Sequence, residues 1–421
     1  MREMKDSGIE WIGKIPIDWK AKKIKNIITI YEKSEIKAGD AKDEGNYPFY
    51  TSSQELIKKI DIALFEGNAI TMATGGSASI NYVDCEFSAS TDCFNFTAHK
   101  FTKFLAYFLY CIKDGVINEI WFNGMGLKHL QKYDLLNSVV FFPEDVEINK
   151  ITKFLDSKCS EIDSLHSDIE EEIETLKEYK KSVITEAVTK GLNPDVEMKD
   201  SGVEWIGKIP KEWNVNRLKN LFKFTKGLSI TKENLIEEGL PVISYGQIHS
   251  KENTGIDVKQ ALLRFVSFDY LKNNPQCKVN QNDFVFADTS EDYDGCGNCV
   301  YKRDNSLLYG GYHAIILHSV KKEDNRYFAY LFLTDLWRKQ VRELASGVKV
   351  LSITQKNLMN CSVIIPKYEE QQQISDHLDA KCSEIDSIIE SKQQQLETLE
   401  QYKKSLIYEY VTGKKEVPAN A

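Results

Sequence analysis

Lys158 to Ser182 opens KCSEIDS and closes ETLKEYKKS; 223 residues later, Lys381 to Ser405 opens KCSEIDS again and closes ETLEQYKKS. Both copies lie in segments where apolar residues recur at steps of three and four, with charged residues between them. The first series includes Ile151, Leu155, Ile162, Ile169 and Leu176, and the second Ile374, Leu378, Ile385, Leu396 and Leu399. Such spacing predicts a helix with a single apolar stripe. No Pro interrupts either segment, and Gly appears only at the exits, Gly191 and Gly413. Each helix would hold about forty residues and run roughly 60 Å at 1.5 Å per residue. A helix of that length needs a partner for its stripe, and its own copy is the nearest candidate. Leu155, Ile162, Leu176, Leu378, Ile385 and Leu399 are the expected packing positions.

The repeat extends beyond the helices. Residues 4–20 read MKDSGIEWIGKIPIDWK and residues 198–214 read MKDSGVEWIGKIPKEWN, an offset of 194. Identity fades after Ile24-Lys25-Asn26 and Leu218-Lys219-Asn220. It returns where Asp134-Leu135-Leu136-Asn137 matches Asn357-Leu358-Met359-Asn360, now at an offset of 223. The order is therefore opening motif, variable block, long helix, then all three again. Like frames around unlike interiors predict one scaffold presenting two different surfaces. The expected segments are 1–147 (first block with its motif), 148–193 (first helix), 194–369 (second block with its motif), 370–413 (second helix) and 414–421 (an unstructured tail).

Inside the blocks short strands are expected at 69–72, 95–97 and 139–142, then at 241–243, 284–286 and 314–317. Amphipathic helices are expected over 101–112 and 326–344. Each block thus reads as a small α/β or α+β domain.

Composition narrows the function. No apolar run nears the eighteen or so residues of a membrane span, and MREMKDSGIE is not a secretory signal. Nine cysteines, an odd number scattered through 421 residues, suit a reducing cytoplasm. The net charge of −9 is uneven: residues 146–197 carry 7 basic and 13 acidic side chains, whereas residues 198–366 carry 23 and 19. The local basic excess is mildly in favour of a nucleic-acid partner and the overall balance mildly against. Neither G-x-x-x-x-G-K-[ST] nor G-x-G-x-x-G occurs, so nucleotide hydrolysis and dinucleotide binding lack support. Cys296-Gly-Asn-Cys299 has the spacing of half a zinc site with no second pair, and reads better as two thiols in a turn. Asp288, Glu291, Asp292 and Asp294 lack the spacing of a calcium loop and read as a solvated or DNA-facing turn.

Taken in order, the two EWIG-x-IP motifs, two unlike blocks and two repeated helices ending in Val-Thr resemble the specificity (S) subunit of type I restriction–modification enzymes. The likeness spans essentially the whole chain. Tyr47-Pro48-Phe49-Tyr50-Thr51-Ser52-Ser53 and Gly310-Gly311-Tyr312-His313 look like recurrent strings of that family, and Pro366 followed by Glu370-Gln371 resembles its approach to the helix. The first repeat departs by having Glu147-Ile148 there.

The resemblance implies an α/β (α+β) chain with two target recognition domains. Two long antiparallel helices separate them in a pseudo-two-fold internal repeat. It implies no catalysis by this chain, double-stranded DNA as ligand, a split site with a fixed gap, two docked methyltransferase (M) subunits, and translocase–nuclease (R) subunits joining them. S-adenosylmethionine, ATP and Mg would be used by those partners, and no cofactor by this chain. Three other readings stay open: a specificity protein of a type II system with a fused nuclease–methyltransferase, a coiled-coil adaptor, and an enzyme whose site is not recognisable.

Base edges are read by side-chain donors and acceptors, and phosphates by cations. In the first block the candidates are Thr51, Ser52, Ser53, Gln54, Thr74, Ser77, Ser90, Thr91, Asn123 and Lys128. In the second they are Tyr245, Gln247, His249, Lys302, Arg303, Tyr312, His313 and Lys349. Gly124-Met125-Gly126 and Ser346-Gly347 occupy matched positions and suggest a turn or a close backbone approach.

Overall fold

The computed structural model describes residues 2–53, 58–76, 79–111, 122–123 and 129–419. The chain divides into two compact units. Unit 1 is Met1–Glu171 with Lys392–Ala421, and unit 2 is Glu172–Ser391. The long helices run Asp145–Lys190 and Tyr368–Val411, so each begins a few residues before its expected start and gives one half to each unit.

In unit 1 a four-stranded antiparallel sheet has the spatial order Thr29–Ile30, Cys93–Thr97, Ala69–Ala73, Ile80–Val83. A second sheet places Tyr47–Tyr50 between Lys58–Ile60, antiparallel to it, and Ser88–Ala89, parallel to it. Unit 2 repeats this arrangement with other residues. Its four strands follow the order Phe222–Lys226, Ala314–Ser319, Phe284–Ala287, Cys299–Tyr301, and its three the order Arg264–Val266, Leu240–Ile243, Tyr309–Gly310. Every residue of Ala69–Ala73 and of Phe284–Ala287 is buried, which explains why both read as continuous apolar runs rather than alternating ones.

Helix Thr102–Cys111 covers the sheet in unit 1. Its counterpart in unit 2 differs from the single helix expected over 326–344. There are two helices, Asn325–Leu333 and Asp335–Leu344, because Thr334 leaves helical geometry and its hydroxyl caps the second through Trp337 N–H. An N-cap hydroxyl that satisfies an orphan amide favours a break at that residue over a continuous helix.

Within each unit the two long-helix segments pack antiparallel, and the duplicated residues repeat the same ion pair. Asp163 of the first KCSEIDS meets Lys403 of the second repeat in unit 1 (2.5 Å), and Asp386 meets Lys180 in unit 2 (2.6 Å). Such half-exposed pairs contribute about 0–1 kcal/mol and serve register more than stability. Leu155, Ile162, Leu378 and Ile385 are buried, whereas Leu176 and Leu399 are only partly covered.

Each opening motif folds as a strand pair, Met4–Asp6 with Lys14–Pro16 and Met198–Asp200 with Lys208–Pro210. Its tryptophan, Trp19 or Trp213, is 1% exposed in the core of its unit. The tail departs from the expected unstructured segment as far as residue 419. Lys414 Nζ donates to the carbonyls of Ile12 (2.6 Å) and Lys14, and Val417 packs on the unit 1 core. A cation bonded to carbonyls of the opening motif and an apolar side chain with a core to cover hold it in place.

Candidate nucleic-acid interface

In each unit a subset of the residues expected to read DNA gathers at one end of the sheets because matched strands deliver them there. In unit 2 the strand Leu240–Ile243 leads into Ser244-Tyr245, Phe284–Ala287 leads into Asp288-Thr289, and Tyr312-His313 lies between Tyr309–Gly310 and Ala314–Ser319. Rings of Tyr245 and Tyr312 lie 5.5 Å apart, and His313 lies 5.5 Å from Tyr245 and 6.1 Å from Tyr312. His313 Nδ1 meets Asp288 Oδ1 at 3.0 Å and its side chain is 54% exposed. Its Nε2 has no protein partner among the described residues. The cluster therefore presents an imidazole edge, a carboxylate and two phenols. These groups match base-edge donors and acceptors better than they match phosphates, which a carboxylate repels.

The other candidates in unit 2 divide. His249 Nε2 donates to the Thr289 carbonyl (2.7 Å) and Nδ1 accepts from the Asn298 amide (3.0 Å), so both ring nitrogens prop the loop from behind. Gln247 Oε1 accepts from Ser244 N–H (3.2 Å) in the capping box of the short helix Tyr245–Ile248. Lys302 is 2% exposed, donates to Ser306 Oγ (2.6 Å), and burial lowers its ammonium below the usual range. It is an internal residue and leaves the set of DNA contacts. Arg303 pairs with Asp379 of the second long helix (2.5 Å), tying the block to the helix. Lys349 is exposed on the segment Ser346–Ser352.

Unit 1 assembles the matched end from Thr51–Ser53, Thr74–Gly76 and Ser90–Asp92. Ser90 N–H donates to the Tyr50 carbonyl (2.8 Å), Thr74 Oγ1 and N–H both donate to the Asp92 carbonyl, and Thr91 N–H donates to Ile36 (2.8 Å). Thr51 Oγ1 accepts from Ser53 N–H (3.2 Å). Ser52 is half-buried and Ser53 exposed, whereas Ser90 is fully buried, so its hydroxyl supports the turn instead of facing a ligand. Gln54, Ser77 and Lys128, with the side chain of Asn123, lie outside the described residues.

The metal-like motifs have other uses. Burial pushes the Cys299 thiol up to about 12 and raises Cys296 as well, and among the described residues no group of three His, Cys, Asp or Glu side chains is placed to hold a metal ion. Asp292 Oδ1 accepts from Gly295 N–H (2.6 Å), closing the turn just before Cys296, while Cys299 opens the strand Cys299–Tyr301. Sequence reading singled out the acidic cluster as a whole. Only strand pairing distinguishes Asp288, at the end of a central strand beside His313, from its solvated neighbours.

The profile of a family described as the type I restriction modification DNA specificity domain matches residues 16–175 and again 210–401. The type I restriction enzyme MjaVIII specificity subunit of Methanocaldococcus jannaschii is 25% identical over 420 residues, covering 95% of this chain and 94% of that protein. The EcoDI specificity subunit of Escherichia coli is 27% identical over 203 residues, 48% of this chain and 41% of that one. A chain from a structure concerned with complex assembly and conformational transition of a type I R-M system superposes with a TM-score of 0.66. It is 13% identical, covering 95% of this chain and 99% of its own, which speaks for the fold alone.

Proposed function

The chain belongs to the type I restriction modification DNA specificity family, and from that premise we propose that it is the sequence-reading, non-catalytic subunit of a type I restriction–modification complex. Each unit reads one half of a split, asymmetric site in double-stranded DNA. The base pairs between the halves go unread. The observation that carries this is the repetition of one sheet order with unlike side chains at the matched end: hydroxyls and Asp92 in unit 1, phenols, imidazole and Asp288 in unit 2. Equal scaffolds with unequal chemistry are what an asymmetric split site requires.

The long helices act as a spacer, and two methyltransferase subunits dock on the chain, with translocase–nuclease subunits joining through that complex. S-adenosylmethionine, ATP and Mg belong to those partners. With its acidic balance, the isolated chain binds DNA weakly until a partner adds positive surface.

The test is methylation mapping in cells that express this chain with a compatible type I methyltransferase subunit. The expected result is adenine methylation in an asymmetric bipartite motif with a constant gap, lost when this chain is omitted. Identical methylation without the chain would overturn the reading.

A further inference from the structure

The segment Ser346–Ser352 carries the exposed Lys349. It is a hairpin closed by reciprocal bonds between Ser346 and Ser352, N–H to carbonyl at 3.0 and 2.8 Å. Leu351–Ser352 then pairs antiparallel with Thr289–Ser290, and Ile353 N–H donates to the Asp288 carbonyl (2.8 Å). The hairpin is thus rooted on the chain that leaves Asp288, beside His313. Its turn requires glycine: Gly347 has φ +137°, and a Cβ there would overlap the Val350 carbonyl oxygen. What this turn holds out is apolar. Val348 is 101% exposed and Val350 47%, with exposed Lys349 between them.

The first block carries the same pattern in its sequence, Gly124-Met125-Gly126-Leu127 aligning with Gly347-Val348-Lys349-Val350.

We propose that the Ser346–Ser352 hairpin enters the major groove of the half-site read by unit 2, with the Val348 methyls against the 5-methyl group of a thymine. This rests on the DNA-reading function proposed above. The major groove is about 12 Å wide and admits a two-stranded ribbon. A valine has no donor or acceptor, so the one feature of a base edge there that it recognises is the thymine methyl. A protein partner is a poorer match, because a stable interface covers about 800 Å² per side and this tip offers only two valines. Lys349 between them is placed for a flanking phosphate.

The experiment uses the complex of this chain with its methyltransferase subunits. The motif is mapped first, and the half-site of unit 2 is identified as the one altered by Tyr312→Ala and His313→Ala. Duplexes are then made with each thymine of that half-site replaced singly by deoxyuridine, which removes only the methyl. One replacement is expected to weaken binding of the native complex roughly fourfold, the worth of about one buried methyl. The Val348→Ala complex should be indifferent to the same replacement, and Val348→Asp should lose discrimination at that base pair while the other half-site is read as before. If the native complex ignores every uracil, or Val348→Ala keeps the full penalty, the hairpin is not a reader although DNA recognition stands. A half-site without thymine overturns it equally, and so does a Val348→Asp chain that no longer assembles, because the tip then contacts protein. Absence of any sequence-dependent methylation by the native complex would instead sink the recognition reading itself.

Discussion

Trp19 and Trp213 occupy the same place in the two opening motifs, yet only one has a hydrogen-bond partner. Trp213 Nε1 donates to Glu370 Oε2 at 2.9 Å. Glu147 stands at the position matching Glu370, but Arg2 holds it through Nη2 (2.9 Å) and also lies over the Trp19 ring, so Trp19 Nε1 is buried with no partner. The next residue follows the same split. Gln371 is fully buried, its Oε1 accepting from Asp324 N–H and its Nε2 donating to Pro366 and Glu323, whereas Ile148 sits in an apolar core. The Glu147-Ile148 departure is thus an exchange of a polar network for an apolar contact. A hydrogen bond to a charged acceptor contributes about 1.5–3 kcal/mol, whereas an orphaned buried N–H costs about 1–3 kcal/mol. Trp213→Phe should therefore destabilise unit 2 by at least about 2 kcal/mol more than Trp19→Phe destabilises unit 1. Calorimetric unfolding of the two variants checks this, and equal losses would mean the indole bond has no net worth.

At the scale of elements, each long helix ends on a left-handed glycine set against the tryptophan of its unit's opening motif. Gly191 has φ +80° with Trp213 beside it, and Gly413 has φ +69° with Trp19 and Pro16 beside it. A Cβ at Gly191 would sit 3.2 Å from Trp213 Cζ2 and Glu370 Oε1, a contact small shifts relieve. A Cβ at Gly413 would overlap the Pro16 ring, which is locked in a strand pair and cannot turn aside. The left-handed penalty of about 1–2 kcal/mol is common to both. Overpacking adds about 1–3 kcal/mol in the second case only. Gly413→Ala should accordingly cost about 2–5 kcal/mol and Gly191→Ala about 1–2, read from denaturation midpoints; the reverse order would show that the helix exit is not held as described.

At the scale of the whole molecule, the long helices of 46 and 44 residues are the elements whose length the repeat preserves. As a spacer, they would set the unread gap of the DNA site. One helical turn is about 5.4 Å, against about 3.4 Å per stacked base pair. Inserting one turn into both helices, after Glu171 and before Lys392, should change the mapped gap by a base pair or two while both half-sites are kept; an unchanged gap would refute the spacer role. Much of this architecture was legible in the chain because it is carried by local signals. Duplication revealed the frame, three- and four-residue apolar steps revealed the helices, and buried runs revealed the central strands. These depend on spacing along the chain, which a sequence records. The reading faces were only partly legible: Tyr245, Tyr312 and His313 do come together, yet Lys302 turned out to be internal, Ser90 buried and Arg303 committed to Asp379. Whether a lysine meets solvent, or which of four carboxylates stands beside a histidine, depends on neighbours tens of residues away. Only the strand order of the tertiary structure, which brings Asp288, His313 and Val348 to one end of a sheet, decided that.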